Sequence, residues 1–134
     1  MTGIRRIRLD ERLPEPISHY TDAVRAGDFL FVSGMLPVDT GGAIVGTDDV
    51  TRQADQALSN VGAVLAAAGA SFADVVKVTL YLRRIGDRAA INEVRRRYFG
   101  ESRPASTLVE VSALAHPDAL VEIEAVAVVP EGSR

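Results

Sequence analysis

Arg103 to Val128 reads RPASTLVEVSALAHPDALVEIEAVAV, and two extended runs within it, Ala105–Ser112 and Ala119–Val129, set the fold. Each run carries carboxylates inside otherwise apolar sequence. Glu110 lies between Val109 and Val111, and Glu122 and Glu124 alternate with Val121, Ile123 and Ala125. Successive side chains of a strand point to opposite faces, so Glu122 and Glu124 share one face while their apolar neighbours take the other. A charge facing a core is costly unless it meets solvent, a partner or a reaction. One face of this sheet is therefore expected to be wet or functional.

Working outward, Val76, Val78, Leu80 and Leu82 alternate with Lys77, Thr79, Tyr81 and Arg83, which predicts a further strand over Val75–Arg83. Asp22–Ala26 and Phe29–Ser33, joined at Gly27-Asp28, read as a hairpin. Ile4, Ile7 and Leu9 among arginines suggest a short edge strand. The segments around Pro14 and Pro16 and from Gly34 to Asp49 read as loop, with a short strand at Ala43–Val45. Val50, Ala54, Ala57, Leu58, Val61, Val64, Leu65 and Ala68 recur at helical spacing, with acidic residues before them and Gly69 after, which predicts a helix over Asp48–Ala68. A second helix is expected over Asp87–Phe99, with Ile91, Val94, Tyr98 and Phe99 inward and Gly100 as its stop.

The order strand, hairpin, helix, strand, helix, strand, strand predicts one two-layer α+β domain, a mixed sheet with both helices on one face. The helical crossovers permit parallel neighbours, which should be right-handed. Thr79, Tyr81, Leu108, Glu110, Glu122 and Glu124 are the residues expected on strands that expose the other face. A half-apolar face with scattered charges is suited to a subunit interface.

The 134 residues suffice for one compact domain and are too few for two. At 47% apolar residues, disorder is excluded as the main state. A net charge of −3 argues against a nucleic-acid or anionic-membrane partner. With no cysteine there is no disulfide, thiolate nucleophile or thiolate metal site. The stretch MTGIRRIRLDERLPEP is charged throughout, so neither a signal peptide nor a membrane span is expected, and the cytoplasm is the expected location.

HYTDAV (His19–Val24), FVSGMLPVD (Phe31–Asp39), VKVTLYL (Val76–Leu82) and the Arg103–Val128 stretch together resemble the Rid family of enamine and imine deaminases, also called YjgF and related to endoribonuclease L-PSP. The resemblance runs in order from about Ile17 to Val128. It implies a chorismate-mutase-like fold and a homotrimer with three clefts between subunits, acting on a small-molecule enamine or imine without metal or organic cofactor.

The same resemblance implies site residues. Glu122 matches the strand glutamate that positions or protonates the hydrolytic water, and a partly buried carboxylate suits that work. A structural carboxylate paired at an interface is the alternative. Tyr20 matches a pocket-lining tyrosine, and Ser33 and Gly34 match a pair whose hydroxyl and backbone amide contact substrate. Asn92 matches a helix asparagine facing the cleft. His19 is expected near the cleft mouth, and Thr107 near the cleft with Thr79. His19 and His116, the only two histidines, lie far apart in sequence and are not read as a metal site. Deaminating relatives read P-A-R-S-x-V-E-V where this chain reads Pro104-Ala105-Ser106-Thr107-Leu108-Val109-Glu110-Val111, so Ser106 stands at the substrate-binding arginine. A guanidinium holds a carboxylate bidentately and a serine does not. Arg103, or the Arg95–Arg97 run of a neighbouring subunit, is the candidate replacement, although cations also suit a helix C-terminus for structural reasons.

Three readings follow. The first is a deaminase of the arginine-lacking branch, similar to the 2-aminomuconate deaminase type, whose dicarboxylic substrate would need a different clamp. The second is a non-catalytic small-molecule-binding or chaperone-like trimer. The third, a ribonuclease, is disfavoured by the acidic balance and the lack of a basic aromatic face.

Overall fold

The structure is a computed structural model and describes residues 3–130. Six strands form one sheet: β1 (Ile4–Ile7), β2 (Ala23–Ala26), β3 (Phe29–Met35), β4 (Val75–Leu82), β5 (Ala105–Glu110) and β6 (Val121–Val128). Their spatial order is β1-β2-β3-β6-β4-β5. The last strand inserts between β3 and β4, antiparallel to both, while β5 pairs parallel to β4 at the edge. Helix α1 (Val50–Ala67) packs on β3 and β6, and α2 (Arg88–Phe99) packs on α1. This is the expected mixed-sheet α+β architecture.

Each element has a local cause. Asp49 caps α1 by accepting from Arg52 N at 3.2 Å, which satisfies one of the helix's orphan donors. Gly69 beyond its end has φ +81°, the left-handed region glycine enters without Cβ strain. The helix then buries Ala54, Ala57, Leu58, Val61, Val64 and Leu65 against Leu30, Leu80 and Ile123 of the sheet. Each fully buried leucine or isoleucine contributes about 1.5–3 kcal/mol of transfer free energy. Tyr98 ties α2 to α1 by donating to Asp55 Oδ1 at 2.7 Å. Burial and that hydrogen bond push its phenol up to about 12.

The hairpin, both helices and all four remaining strands lie where the periodicities put them, within two residues at each end in most cases. The expected Ala43–Val45 strand reduces to a single bridge, Val38 to Ile44. Three side-chain assignments differ. A bulge between Val75 and Lys77 puts Val75 into the core and leaves Val76 44% exposed, so simple alternation fails at the start of β4. Leu108 pairs with Leu80, and Glu110 with Leu82, both core-facing. Leu108 and Glu110 therefore lie on the helix side, not the open face. Parallel register sets the face of every β5 residue, and no local pattern reveals that register.

The open face carries Phe29, Phe31, Val76 and Val128, all substantially exposed. The two phenylalanine rings lie 6.5 Å apart. Beside them sit the polar side chains of Thr79, Tyr81, Glu122 and Glu124, which face each other across the β4–β6 ladder.

Candidate active site

A second bulge builds the site. The β3–β6 register shifts between Val32 and Met35, so Ser33 and Gly34 sit out of the ladder opposite the Ile123–Ala125 stretch. The Glu122 carboxylate lies over this bulge. A Cβ added at Gly34 would overlap Glu122 Oε2 and come within 2.9 Å of its Cδ. Glycine is required here for space, because the carboxylate occupies the volume a side chain would take. A hollow of about 430 Å³ opens in front of it, lined by Ile17, Ser18, Tyr20, Ser33, Gly34, Leu36, Ala115 and Glu122.

The two strand carboxylates are in different states. Tyr81 donates its phenol to Glu124 Oε1 at 3.1 Å. Among the described residues no donor reaches the Glu122 carboxylate. Burial raises the Glu122 pKa above the ordinary carboxylate value, and the charge on Glu124 two residues away raises it further. Tyr81 is also raised, by burial first and then by Glu124 and Glu122. A half-buried carboxyl without a partner, poised to exchange a proton and facing a hollow, is the arrangement general acid–base chemistry uses.

The hollow's walls are held from behind. Buried Asp22 accepts from Arg8 Nη1 at 2.7 Å and from Leu9 N at 2.8 Å. The same arginine donates to Pro14 O at 2.9 Å, which fixes the loop that delivers Tyr20. Ser33 donates its hydroxyl to Thr21 O at 2.6 Å, and its amide donates to Asp22 O at 2.9 Å. Both donors of Ser33 are thus engaged within the chain. Its oxygen retains only acceptor capacity.

The other candidates gather elsewhere. Ser106 pairs with Val78, so its side chain is on the helix side, the opposite face from Glu122. There Arg95 of α2 donates to Ser106 Oγ at 3.0 Å, with Asn92 Oδ1 3.5 Å from its other terminal nitrogen. Asn92, Arg95, Arg96, Glu101 and Arg103 line a hollow of about 550 Å³. Thr107 faces the open side and accepts from Lys77 Nζ at 2.6 Å. His19 is exposed and lines a hollow with Arg6, Tyr20 and Ser33, adjacent to that of Glu122 but not part of it. His116 accepts from Asp118 N through Nδ1. Among the described residues no His, Asp and Glu cluster could hold a metal ion. One chain thus brings Glu122, Tyr20, Ser33 and Gly34 together, and separately Ser106, Asn92 and Arg103.

Sequence reasoning missed the polar residues behind these walls. Gln53 and Asn60 are fully buried on α1. Gln53 accepts from Leu120 N at 2.7 Å and donates to Gly46 O and Asp118 O. Asn60 donates to Leu36 O and Val38 O. Both carboxamides satisfy loop backbone that flanks the Glu122 hollow. The available signal was their spacing: Gln53, Ala57, Asn60 and Val64 form one inward stripe of the helix.

Fold and geometry define a small α+β protein with a half-buried carboxyl set over a glycine bulge. The endoribonuclease L-PSP family matches residues 11–129. The 3-aminoacrylate deaminase RutC of Acinetobacter baylyi is 40% identical over 121 residues, covering 90% of this chain and 95% of that protein. A 2-iminobutanoate/2-iminopropanoate deaminase of Capra hircus is 39% identical over 125 residues, covering 93% and 90%. The crystal structure of the Escherichia coli YjgF gene product superposes with a TM-score of 0.85 at 35% identity, covering 94% of this chain and 99% of that one. The chain belongs to the endoribonuclease L-PSP family, the Rid/YjgF family of the sequence resemblance.

Proposed function

We propose that the protein hydrolyses carboxylate-bearing enamines and imines and releases ammonia, in clefts between the subunits of a homotrimer. Deaminase relatives support the reaction class. The observation that carries the reading to this chain is the unpartnered, proton-poised Glu122 lying against Gly34. In this mechanism an enamine first tautomerises to the imine. Glu122 takes a proton from water as the water oxygen adds to the imine carbon. That proton passes to nitrogen to give the carbinolamine. The carbinolamine hydroxyl then yields its proton to the amine by way of Glu122, the C–N bond breaks, a carbonyl forms and ammonia leaves. Developing charge stays close to a half-buried group already tuned for it.

Two features support the trimer. The exposed Phe29, Phe31, Val76 and Val128 form an apolar patch on the sheet face that assembly would cover. The carboxylate of one chain and the cations near Ser106 lie on opposite faces, so a second copy is needed to bring them to one substrate. Within the substrate class, 2-aminomuconate is favoured by Arg95 and Arg103 lining one hollow, which suits a second carboxylate.

The test is ammonia release from 3-aminoacrylate, 2-iminobutanoate and 2-aminomuconate generated in situ, alongside Glu122→Ala and with sedimentation to give the mass in solution. Turnover lost in the variant supports the reading. Turnover of none of the three would leave a binding protein on the same scaffold as the better description.

A further inference from the structure

Arg95 differs from the two arginines that follow it. Arg96 and Arg97 are exposed on the last turn of α2, where cations favour the helix end and need no other role. Arg95 is partly buried, and its guanidinium reaches across to β5 and rests on Ser106 Oγ at 3.0 Å. Among the described residues no carboxylate comes within ion-pairing distance of it, although Glu101 lines the same hollow. Burial lowers its pKa, the mark of a cation short of compensating charge. Ser106 Oγ accepts a hydrogen bond from the guanidinium, so its own hydroxyl hydrogen is left to donate to a further acceptor. A guanidinium that lines a hollow and is held there by a hydroxyl beside it is complementary to a carboxylate.

We propose that Arg95, braced by Ser106, is the residue that holds the substrate's carboxylate, so that the cation is supplied from helix α2 where deaminating relatives supply it from the strand. The inference rests on the deaminase reading and names a binding residue for it. Asn92, 3.5 Å from the guanidinium, orients the fork. Arg103 also lines the hollow and adds long-range attraction for anions. Ser106 is not a vacancy in the site: it is the support that fixes where the relocated guanidinium points.

The experiment measures calorimetric binding of 2-oxobutanoate, the stable carboxylate product of 2-iminobutanoate hydrolysis, together with KM and kcat for ammonia release from that imine. The proteins are the unaltered chain, Arg95→Ala, Arg95→Gln, the double variant Arg95→Ala with Ser106→Arg, and Arg97→Ala as a charge-matched control. Loss of one charge-assisted fork should weaken 2-oxobutanoate and raise KM by roughly tenfold to a hundredfold, with kcat changed much less. Arg95→Gln keeps a polar side chain without the charge and should lose affinity nearly as far. The double variant should recover at least about tenfold of the loss, since a guanidinium returns from the strand. Arg97→Ala should bind as the unaltered chain does. Turnover with unchanged affinity in Arg95→Ala and Arg95→Gln would overturn the clamp and leave the deaminase reading standing. Binding that depends on Arg95 without any turnover would support the clamp and remove the deaminase reading. An equal loss in Arg97→Ala would reduce the effect to net charge and also overturn it.

Discussion

The bulge at Ser33–Gly34 and the edge strand at Ser106 are two solutions to the same demand, a charged group held at a surface hollow. At the bulge, Glu122 is placed by exclusion: the missing Cβ of Gly34 leaves its volume to the carboxylate, and among the described residues no donor satisfies it. At the edge strand, Arg95 is placed by contact, through a hydrogen bond to Ser106 across the α2–β5 gap. The first arrangement leaves a half-buried carboxyl with a raised proton affinity. The second leaves a permanent cation with fixed direction. A group meant to react is better left unpartnered, whereas a group meant to bind gains from a brace.

The largest expected effect breaks the first arrangement at its centre. Glu122→Gln keeps shape and removes the proton-transfer group, so kcat for ammonia release should fall by about 10²–10⁴-fold with little change in KM. A steady-state assay at saturating imine measures it. Gly34→Ala should come next. The new methyl must displace the Glu122 carboxyl, and an error of about 1 Å in a catalytic group can lower the rate about a hundredfold. Sedimentation and circular dichroism of that variant should match the unaltered chain; a variant that retains full activity would show that Glu122 does not act from its observed position.

The support shells should respond through stability. Gln53→Ala removes a buried carboxamide and leaves Leu120 N and two loop carbonyls without it, so unfolding free energy should drop by about 1–3 kcal/mol or somewhat more in denaturant titration. The Arg95 side should not move with it.

The smallest effect sharpens the contrast in charge state. Burial and Glu124 raise the Glu122 pKa in the folded chain, so the folded state holds that proton more tightly than the unfolded state. The associated stability is full below the unfolded carboxylate pKa and is lost as pH rises through the higher folded value. Glu122→Gln should therefore gain in Tm relative to the unaltered chain between mildly acid and neutral pH, and the gain should shrink on acidification. A Tm difference that is flat with pH would mean the carboxyl is better solvated than its position implies.

Much of the fold was legible because its signals are local. The α1 stripe from Val50 to Ala68, its acidic start and its glycine stop, and the alternation of β6 each follow from one segment's own periodicity. Assignments failed where a face is set by a distant strand. Val76 was misassigned because a bulge interrupts β4, and Leu108 and Glu110 because β5 takes its register from β4. Of the candidate site, the grouping was legible: Glu122, Tyr20 and Gly34 share one hollow. Ser33's commitments to Thr21 and Asp22 were not, since they arise from the bulge geometry.

By itself the sequence determined the elements, the α+β class, the family and the carboxylates on an open strand face, because composition and periodicity act over a few residues at a time. Only the tertiary structure decided that Gly34 lies under Glu122, that Ser106 faces the helices, and that Arg95 reaches it. Those outcomes depend on strand register and helix packing, which join residues tens of positions apart and which hydrophobic burial of the whole core selects at once.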